Sequence, residues 1–598
     1  MSLRIGSWAG RTLKRLRRIA AILTSAGRAE AASVGSPMTT PATRIQPPLL
    51  SVVVPARNSA PWVGELLESL LAQGVESSEI IVVDNGSCDD TAEIVEQHTA
   101  RDPRVRLIRS QATSAAAARN DGVDAALGAY LVFADSDDIV PDGAHEAMLA
   151  ALEASGSDMV IGDHLKFSPT STWSPTKRWS PFDEPLRAVP PEDAPSLMTG
   201  RACWNRMFRR SFWNRAGLRF PEIPSVDDIV PMTRAFVSAE SLDVVPSPVY
   251  LYRDRHDGSS ISQRSDAATT VRYLQQETIC ARLVADRPGL RAQHAEIVFD
   301  ADGWAHLARF VASRPSSADT AAVRAELGRL LDAVPLGAAH GIEVGRRVLW
   351  ALVLDGSWDV ASAFVTGSVS ADARERLDAW IAAIGALRAG GSGLFDLGDI
   401  VGAGLFPALV NGADAVGHDW LAAALPTLQD LPGGDPSPGL ASSMARAVRS
   451  GDARAVMSVS GLRHLVPLVV GAAVPTLDGL EISGALPASS VRPAMALRLQ
   501  NGATTLVVRV ESGPGSWTAF LDGSSMGAGR WTMTVGADDV DGQFPVVSAR
   551  MALPPIGDAF PIQPLADRAD GWRFLVDRRH PRRTGLGALV ERVRRRTR

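Results

Sequence analysis

From Leu50 onward, two textures of apolar and polar residues alternate along the chain. Apolar runs of strand length occupy Leu50–Pro55, Glu79–Asp84, Val105–Arg109 and Ala129–Ala134. Helix-period stretches separate them at Val63–Ala72, Thr91–Ala100 and Ser114–Leu127. Strands alternating with helices predict a parallel α/β sheet. The pattern continues more loosely to about residue 264. From about 265 to 470 the chain is rich in Ala, Leu and Arg, as in Thr270–Ala285, Thr320–Val334 and Ala371–Leu387, which predicts an α-helical domain. After Pro475 come short alternating runs at Leu480–Leu486, Ala494–Gln500, Thr504–Glu511, Trp517–Leu521, Trp531–Val535 and Pro545–Leu553. Gly, Pro, Ser and Asn turns separate them, so they predict a β-sandwich. The expected division is a basic N-terminal segment and linker (1–46), an α/β domain (47–264), a helical domain (265–475), a β-sandwich (476–570) and a basic tail (571–598).

Composition narrows the class. The chain has 598 residues, 45% of them hydrophobic and 21% charged, which excludes a mainly disordered chain or a disulfide-stapled miniprotein. Cys88, Cys203 and Cys280 lie far apart without C-x-x-C spacing, so reduced thiols facing the cytosol are expected. The longest apolar stretch, Leu465–Val474, is about half a bilayer span, and no signal peptide is expected. The net charge is −5, with a marked asymmetry. Residues 1–46 hold eight basic residues against one acid, and residues 571–598 hold ten arginines against two acids, which leaves the body between them at −20. A basic surface confined to the ends argues against a nucleic-acid reader. It suits attraction to an anionic membrane face. Leu3, Ile5, Trp8, Leu13, Leu16, Ile19 and Leu23 interleave with the N-terminal cations as an amphipathic helix would.

The sharpest chemical feature is Asp135-Ser136-Asp137-Asp138, directly after the run Tyr130–Ala134. Ligands of open α/β sheets bind beyond the carboxyl ends of the strands. Crowded carboxylates there call for a cation or for solvent, and a hard divalent ion that also holds a diphosphate would meet that need. Alone, the cluster reads first as solvated turn acids. Earlier segments raise the metal reading. Asp84 ends a strand ahead of Asn85-Gly86-Ser87, where it could accept from a base or ribose. Arg119 lies in Arg119-Asn120-Asp121-Gly122, and a guanidinium suits planar bases and phosphates.

Taken in order, Ser51-Val52-Val53-Val54-Pro55-Ala56-Arg57-Asn58, Val83-Asp84-Asn85-Gly86-Ser87, Ala118-Arg119-Asn120-Asp121-Gly122 and the Asp135–Asp138 cluster resemble the motifs of family 2 glycosyltransferases over about residues 50–264. The resemblance implies a GT-A fold, a nucleotide-sugar donor and a divalent cation, Mn²⁺ or Mg²⁺. It implies that Asp84 and Arg119 contact the nucleotide base, that Pro55, Ala56 and Arg57 line that pocket, that Asp135 lies near the ribose and that Asp137 binds the metal. Arg57 departs from the commoner residue before the asparagine. Val226-Asp227-Asp228-Ile229 resembles the acidic motif whose second acid is the base of inverting transfer. That points to Asp228 with Asp227 beside it, though the choice between the two stays open because Asp227 replaces the usual glutamate. A helix N-terminal acid pair is the alternative. Tyr252-Arg253-Asp254-Arg255-His256-Asp257-Gly258-Ser259-Ser260 resembles the closing segment, which implies that Arg255, Ser259 and Ser260 lie near the diphosphate. His256 reads as a solvated loop residue rather than a metal ligand. Trp204-Asn205-Arg206 matches an element that borders the acceptor cleft, and Trp204 reads equally as core.

The expected function is therefore a metal-dependent inverting glycosyltransferase. Its donor is most simply a UDP-sugar, and its acceptor a hydroxyl of a cell-envelope polysaccharide, a teichoic-acid-like polymer or a glycolipid. The three-part plan is similar to bacterial enzymes that glycosylate wall polymers, which implies a homo-oligomer formed through the C-terminal domains. The expected location is the cytoplasmic face of the membrane, with peripheral attachment. The rival readings are an inactive nucleotide-sugar-binding scaffold and a glycan-binding assembly protein. For the latter, Trp517 and Trp531 are the candidate stacking residues, although aromatics in a sandwich are more often core.

Overall fold

The computed structural model describes residues 47–576, apart from 178–181, 256–265, 335–340, 391–394, 433–438, 466–467, 477, 487–493, 523, 538–539, 549–561 and 565–571. Residues 1–46 and 577–598 therefore lie outside the described residues, whereas Trp572–Val576, expected in the basic tail, form a strand paired antiparallel with Gly529–Ala537.

The first part is a nine-stranded mixed sheet. Its central strand β1 (Leu50–Ala56) pairs in parallel with β2 (Ser78–Asp84) on one side and β4 (Tyr130–Phe133) on the other. Strand β3 (Val105–Arg109) extends the sheet beyond β2. Every residue of β1 is buried, because successive side chains enter cores on opposite faces of the sheet. Val53, Ile81, Val83, Leu131 and Phe133 face one core, whereas Val52, Val54, Ile80, Val82 and Val132 face the other. The helices Val63–Leu71, Thr91–Arg101 and Ala144–Ser155 supply the second core, and Ala115–Ala125 and Ile229–Ser238 supply the first. The helix Ala115–Ala125 packs so closely on β1 that a Cβ at Gly122 would lie 2.4 Å from Val53 Cγ1, which is why glycine closes the R-N-D-G segment.

Beyond β4 the sheet departs from simple alternation. Strand β8 (Arg206–Arg209) inserts antiparallel between β4 and β5 (Met159–Ser168), and β9 (Leu242–Arg253) runs parallel to β5. Strand β7 (Leu186–Val189) closes the edge against β9, and β6 (Ser171–Trp173) hairpins onto β5. The reversal of β8 puts its start, residues 204–206, beside the end of β4. The direction of β9 brings Tyr250–Arg253 to the same end of the sheet.

Helices follow from Ala267–Leu283 to Ala453–Leu462. They are tied to the sheet domain by a buried ion-pair cluster. Arg201 donates from Nη1 and Nη2 to the two carboxylate oxygens of Glu277 at 2.8 and 2.6 Å. His294 Nε2 lies 2.8 Å from Glu277 and Asp302 lies 3.3 Å from Arg201. Two sheets end the described chain. One orders β11 (Ala472–Pro475), β12 (Gly479–Ala485), β16 (Ser516–Asp522) and β15 (Glu511–Gly513). The other carries β13 (Met495–Asn501), β14 (Thr504–Arg509) and β17 (Gly529–Ala537) among its seven strands. Alternate residues, Leu480 and Ile482 in one sheet and Leu497 and Leu499 in the other, enter one shared core. Trp517 and Trp531 are fully buried within it.

Candidate active site

The site gathers where β1, β2, β4 and β9 end. After β1 the chain turns at Asn58, which holds a positive φ of 52° that asparagine tolerates. Asn58 N donates to Ser87 Oγ at 3.0 Å, and its side-chain oxygen accepts from Cys88 N at 2.8 Å, which ties together the loops that follow β1 and β2. Pro55 and Ala56 are buried beneath this loop and Arg57 is exposed at its surface. Asp84, at the tip of β2, is buried, and its Oδ1 accepts from Ser87 N at 3.2 Å. Ser59 and Ser136, both buried, share a hydroxyl hydrogen bond of 2.6 Å that couples the β1 loop to the acidic cluster.

The acidic cluster is fixed mainly from β9. Asp135 N donates to the Tyr250 hydroxyl oxygen at 2.8 Å. Asp138, buried, accepts from Arg253 N at 2.7 Å, and Arg253 Nε donates to the Asp137 carbonyl at 2.6 Å. These contacts leave the Asp137 side chain about four-fifths buried, with an edge at the surface of the loop. Burial and then Asp135 push the Asp137 carboxyl up, against the pull of Arg255. Burial, Asp137 and Asp135 push Asp138 up further. Burial and mutual repulsion crowd these carboxylates, a set of oxygen donors that fits a hard divalent cation. Among the described residues, the side chains of Asp135, Asp137 and Asp138 do not bring three ligand atoms together. The group that does, Glu277, Cys280 and His294, has both Glu277 oxygens occupied by Arg201. An ion on Asp137 would therefore complete its shell with oxygens from outside the protein, as Mg²⁺ commonly does with substrate phosphates.

Arg119 occupies the middle of the site, 7% exposed and with its guanidinium 5.4 Å from the Phe220 ring centroid. Its Nη2 donates to Asp135 Oδ1 at 2.7 Å and its Nη1 to Asp227 Oδ2 at 2.6 Å. Neighbouring Asn120 exchanges two hydrogen bonds with the Phe220 backbone, at 2.9 and 3.0 Å, and so fixes the approach to the second acidic pair. Val226, just before that pair, holds φ at 58°, a conformation costly for a β-branched residue. Asp228 stands at the N-cap of the helix Ile229–Ser238 and makes no capping hydrogen bond with its side chain. Burial and then Asp227, opposed by Arg119, push its carboxyl up to about 7.

The other sequence candidates fall as follows. Trp204 is buried and stacks on Tyr250, with centroids 4.4 Å apart. Asn205 is buried and donates to the Gly162 carbonyl at 2.9 Å, so it braces the floor of the region. Arg255 lies beside Asp137. Ser259, Ser260 and His256 lie outside the described residues. Sequence patterns did not single out Tyr250, Arg253 or the Ser59–Ser136 pair. Tyr250 lies two residues before the Tyr252 of the closing motif, on the same strand face, and that spacing was the available signal.

A mixed sheet with helices on both faces and acids and a guanidinium gathered at its strand ends defines a GT-A-like α/β domain. A sequence model of glycosyl transferase family 2 matches residues 51–215. The glycosyltransferase GlyG of Streptococcus pneumoniae is 37% identical over 228 residues, which cover 36% of this chain and 74% of GlyG. The chain belongs to glycosyltransferase family 2. The uncharacterized glycosyltransferase EpsJ of Bacillus subtilis is 32% identical over 211 residues, 35% of this chain; the match spans 61% of EpsJ, less than two thirds of its length. Among solved structures, TarS 1-349 of S. aureus in complex with UDP-GlcNAc is 20% identical with a TM-score of 0.43, covering 54% of this chain and 91% of that one.

Proposed function

We propose that this chain is a metal-dependent, inverting glycosyltransferase. It moves a sugar from a nucleotide-sugar, a UDP-sugar in the first instance, to a hydroxyl of a cell-envelope polysaccharide, a teichoic-acid-like polymer or a glycolipid. One observation supports this above others: Asp84, the Asp135–Asp137 loop and Asp228 come from three separate segments to one end of one sheet, and Asp228 has its carboxyl pushed up to about 7. The polymer acceptor draws support from relatives such as the succinoglycan biosynthesis protein ExoO of Rhizobium meliloti, 29% identical over 255 residues.

In this reading Asp84 and the Pro55–Arg57 loop receive the base and ribose, with Asp135 beside the ribose. Asp137 would hold Mn²⁺ or Mg²⁺, which when bound supplies positive charge to the leaving diphosphate. Arg255, with Ser259 and Ser260, lies on the diphosphate side. Asp228 accepts the proton of the acceptor hydroxyl as that oxygen attacks the anomeric carbon in line. The bond from that carbon to the diphosphate oxygen breaks, and the nucleotide departs. Arg119 leaves Asp228 free for this work by engaging Asp227. Trp204 and Asn205 border the acceptor side from beneath.

Attachment to the inner face of the membrane and oligomerisation through the late sheets belong to the same proposal. They rest on the basic amphipathic ends and on the three-part plan. Among the described residues no helix is long and apolar enough to cross a membrane. Against a glycan-binding role for the late sheets stands the full burial of Trp517 and Trp531, which leaves neither ring free to stack on a sugar. The test is a panel of nucleotide-sugars assayed for nucleotide release with Mn²⁺, with Mg²⁺ and with excess chelator. Turnover of a UDP-sugar that the chelator abolishes supports the proposal. Turnover unaffected by chelator removes the metal, and no turnover of any donor leaves the scaffold reading.

A further inference from the structure

The carboxylate of Asp137 already has a cation beside it. Arg255 Nε lies 3.0 Å from Asp137 Oδ2, with both side chains about four-fifths buried. The guanidinium carbon sits 5.0 Å from the centroid of the Trp62 ring. Arg253, two residues earlier, is committed elsewhere: its Nη2 donates to Glu65 at 2.6 Å and its Nε to the Asp137 main chain. Arg253 therefore shapes the loop, while Arg255 is the cation facing the Asp137 side chain. Among the described residues the Arg255 Nε–H finds no aligned hydrogen-bond acceptor, although the nitrogen is buried. The contact thus rests on charge and on the aromatic face rather than on directional bonding, and such a contact exchanges readily.

We propose that Arg255 is the counter-cation of Asp137 in the donor-free enzyme, and that it yields this carboxylate to a divalent ion when a nucleoside diphosphate gives the guanidinium a new anionic partner. This rests on the reading of Asp137 as the metal-holding residue. One carboxylate oxygen cannot serve a guanidinium and a metal ion in the same position. A diphosphate resolves the competition, because a pair of its oxygens suits the planar arginine fork while others supply oxygen ligands to the ion. Trp62 keeps the guanidinium within reach of both anions. The consequence is coupling: the ion binds weakly to the protein alone and more tightly with nucleotide, and the nucleotide gains equally from the ion.

The experiment is titration of full-length protein with Mn²⁺, following free Mn²⁺ by electron paramagnetic resonance, with and without UDP as the probe. Arg255→Gln is expected to bind Mn²⁺ alone about tenfold more tightly than the natural protein, and to gain correspondingly less from UDP. Trp62→Leu is expected to fall between the two. Circular dichroism checks that each variant is folded, and Arg255→Lys, which keeps the charge, should bind Mn²⁺ nearly as the natural protein does. If Arg255→Gln binds Mn²⁺ no more tightly, the proposal is overturned. Asp137→Asn tests the underlying reading separately, because unchanged Mn²⁺ binding with UDP present would remove Asp137 as the ligand whatever Arg255 does.

Discussion

Arg119 donates to Asp227 across 2.6 Å, joining residues 108 positions apart in the chain, and the same guanidinium holds Asp135 at 2.7 Å. One side chain thereby links the acid after β4 to the acid pair ahead of the helix Ile229–Ser238. The carboxylate of Asp227 is spent on this clamp, and that of Asp228 is not. Substitution should therefore separate the two. Asp228→Asn is expected to lower kcat by about 10²–10⁴-fold. Asp227→Asn should have a smaller effect, since it loosens one arm of the clamp, and Arg119→Gln a larger one than Asp227→Asn, since it also releases Asp135. Steady-state kinetics on the three variants checks this, and an inactive Asp227→Asn beside an active Asp228→Asn would exchange the two roles.

The pH profile follows from the same neighbourhood. Burial and Asp227 raise the Asp228 carboxyl to about 7. A general base works only when deprotonated, so kcat/KM should rise with pH through this value and level off above it. Arg119 opposes the upward push, so its removal should move the midpoint to higher pH. A pH–rate profile of the natural protein and Arg119→Gln reads both. A profile flat from about 1.5 pH units below neutral to about 1.5 above it, roughly thirtyfold in proton concentration on each side, would deny Asp228 the role of base.

Much of the sheet was legible before the structure. The runs at β1, β2, β3 and β4 begin and end within about a residue of their expected bounds, because β1, β2 and β4 centre on continuous apolar runs with Pro or Asp at or near their ends, and β3 keeps an apolar V-x-L-I pattern. Strand β8 was not legible. It has four residues, carries arginine at both ends and takes partners from distant segments, so no local period marks it. Asp84, Asp135, Asp137 and Asp228 were legible as strand-end and pre-helix acids. The engagement of Arg119 with Asp135 and Asp227 was not, because resemblance assigns it to the nucleotide base and pairing across such separations leaves no trace in spacing. The Arg201–Glu277 cluster was equally hidden, since either residue alone reads as a surface charge.

That cluster carries a stability prediction. The Arg201 side chain is 3% exposed and that of Glu277 not at all. Arg201→Met leaves a buried carboxylate facing His294 without its main partner, a loss of about 3–5 kcal/mol. The double variant Arg201→Met with Glu277→Leu should recover much of it. Urea unfolding measures both, and an unshifted midpoint for the single variant would show that the cluster does not hold the helices to the sheet.

The basic ends make a separate prediction. Each arginine near an anionic surface contributes about 1 kcal/mol, and the attraction fades with salt. Full-length protein should sediment with phosphatidylserine-containing vesicles at low salt and be released at high salt, while a 47–576 fragment, which keeps the strand Trp572–Val576, should stay in solution. Equal sedimentation of the two proteins would remove the membrane proposal.

In the proposed reading one end of this sheet divides donor holding from proton removal, and a paired measurement of nucleotide binding and turnover separates the two. UDP affinity in the presence of Mn²⁺ is measured by calorimetry on the natural protein, Asp137→Ala and Asp228→Asn, beside UDP release from the sugar donor that the natural protein uses. Asp228→Asn is expected to bind UDP as the natural protein does yet turn over about 10²–10⁴-fold more slowly, whereas Asp137→Ala should lose both. Full turnover by Asp228→Asn, or undiminished UDP binding and turnover by Asp137→Ala, would contradict this reading.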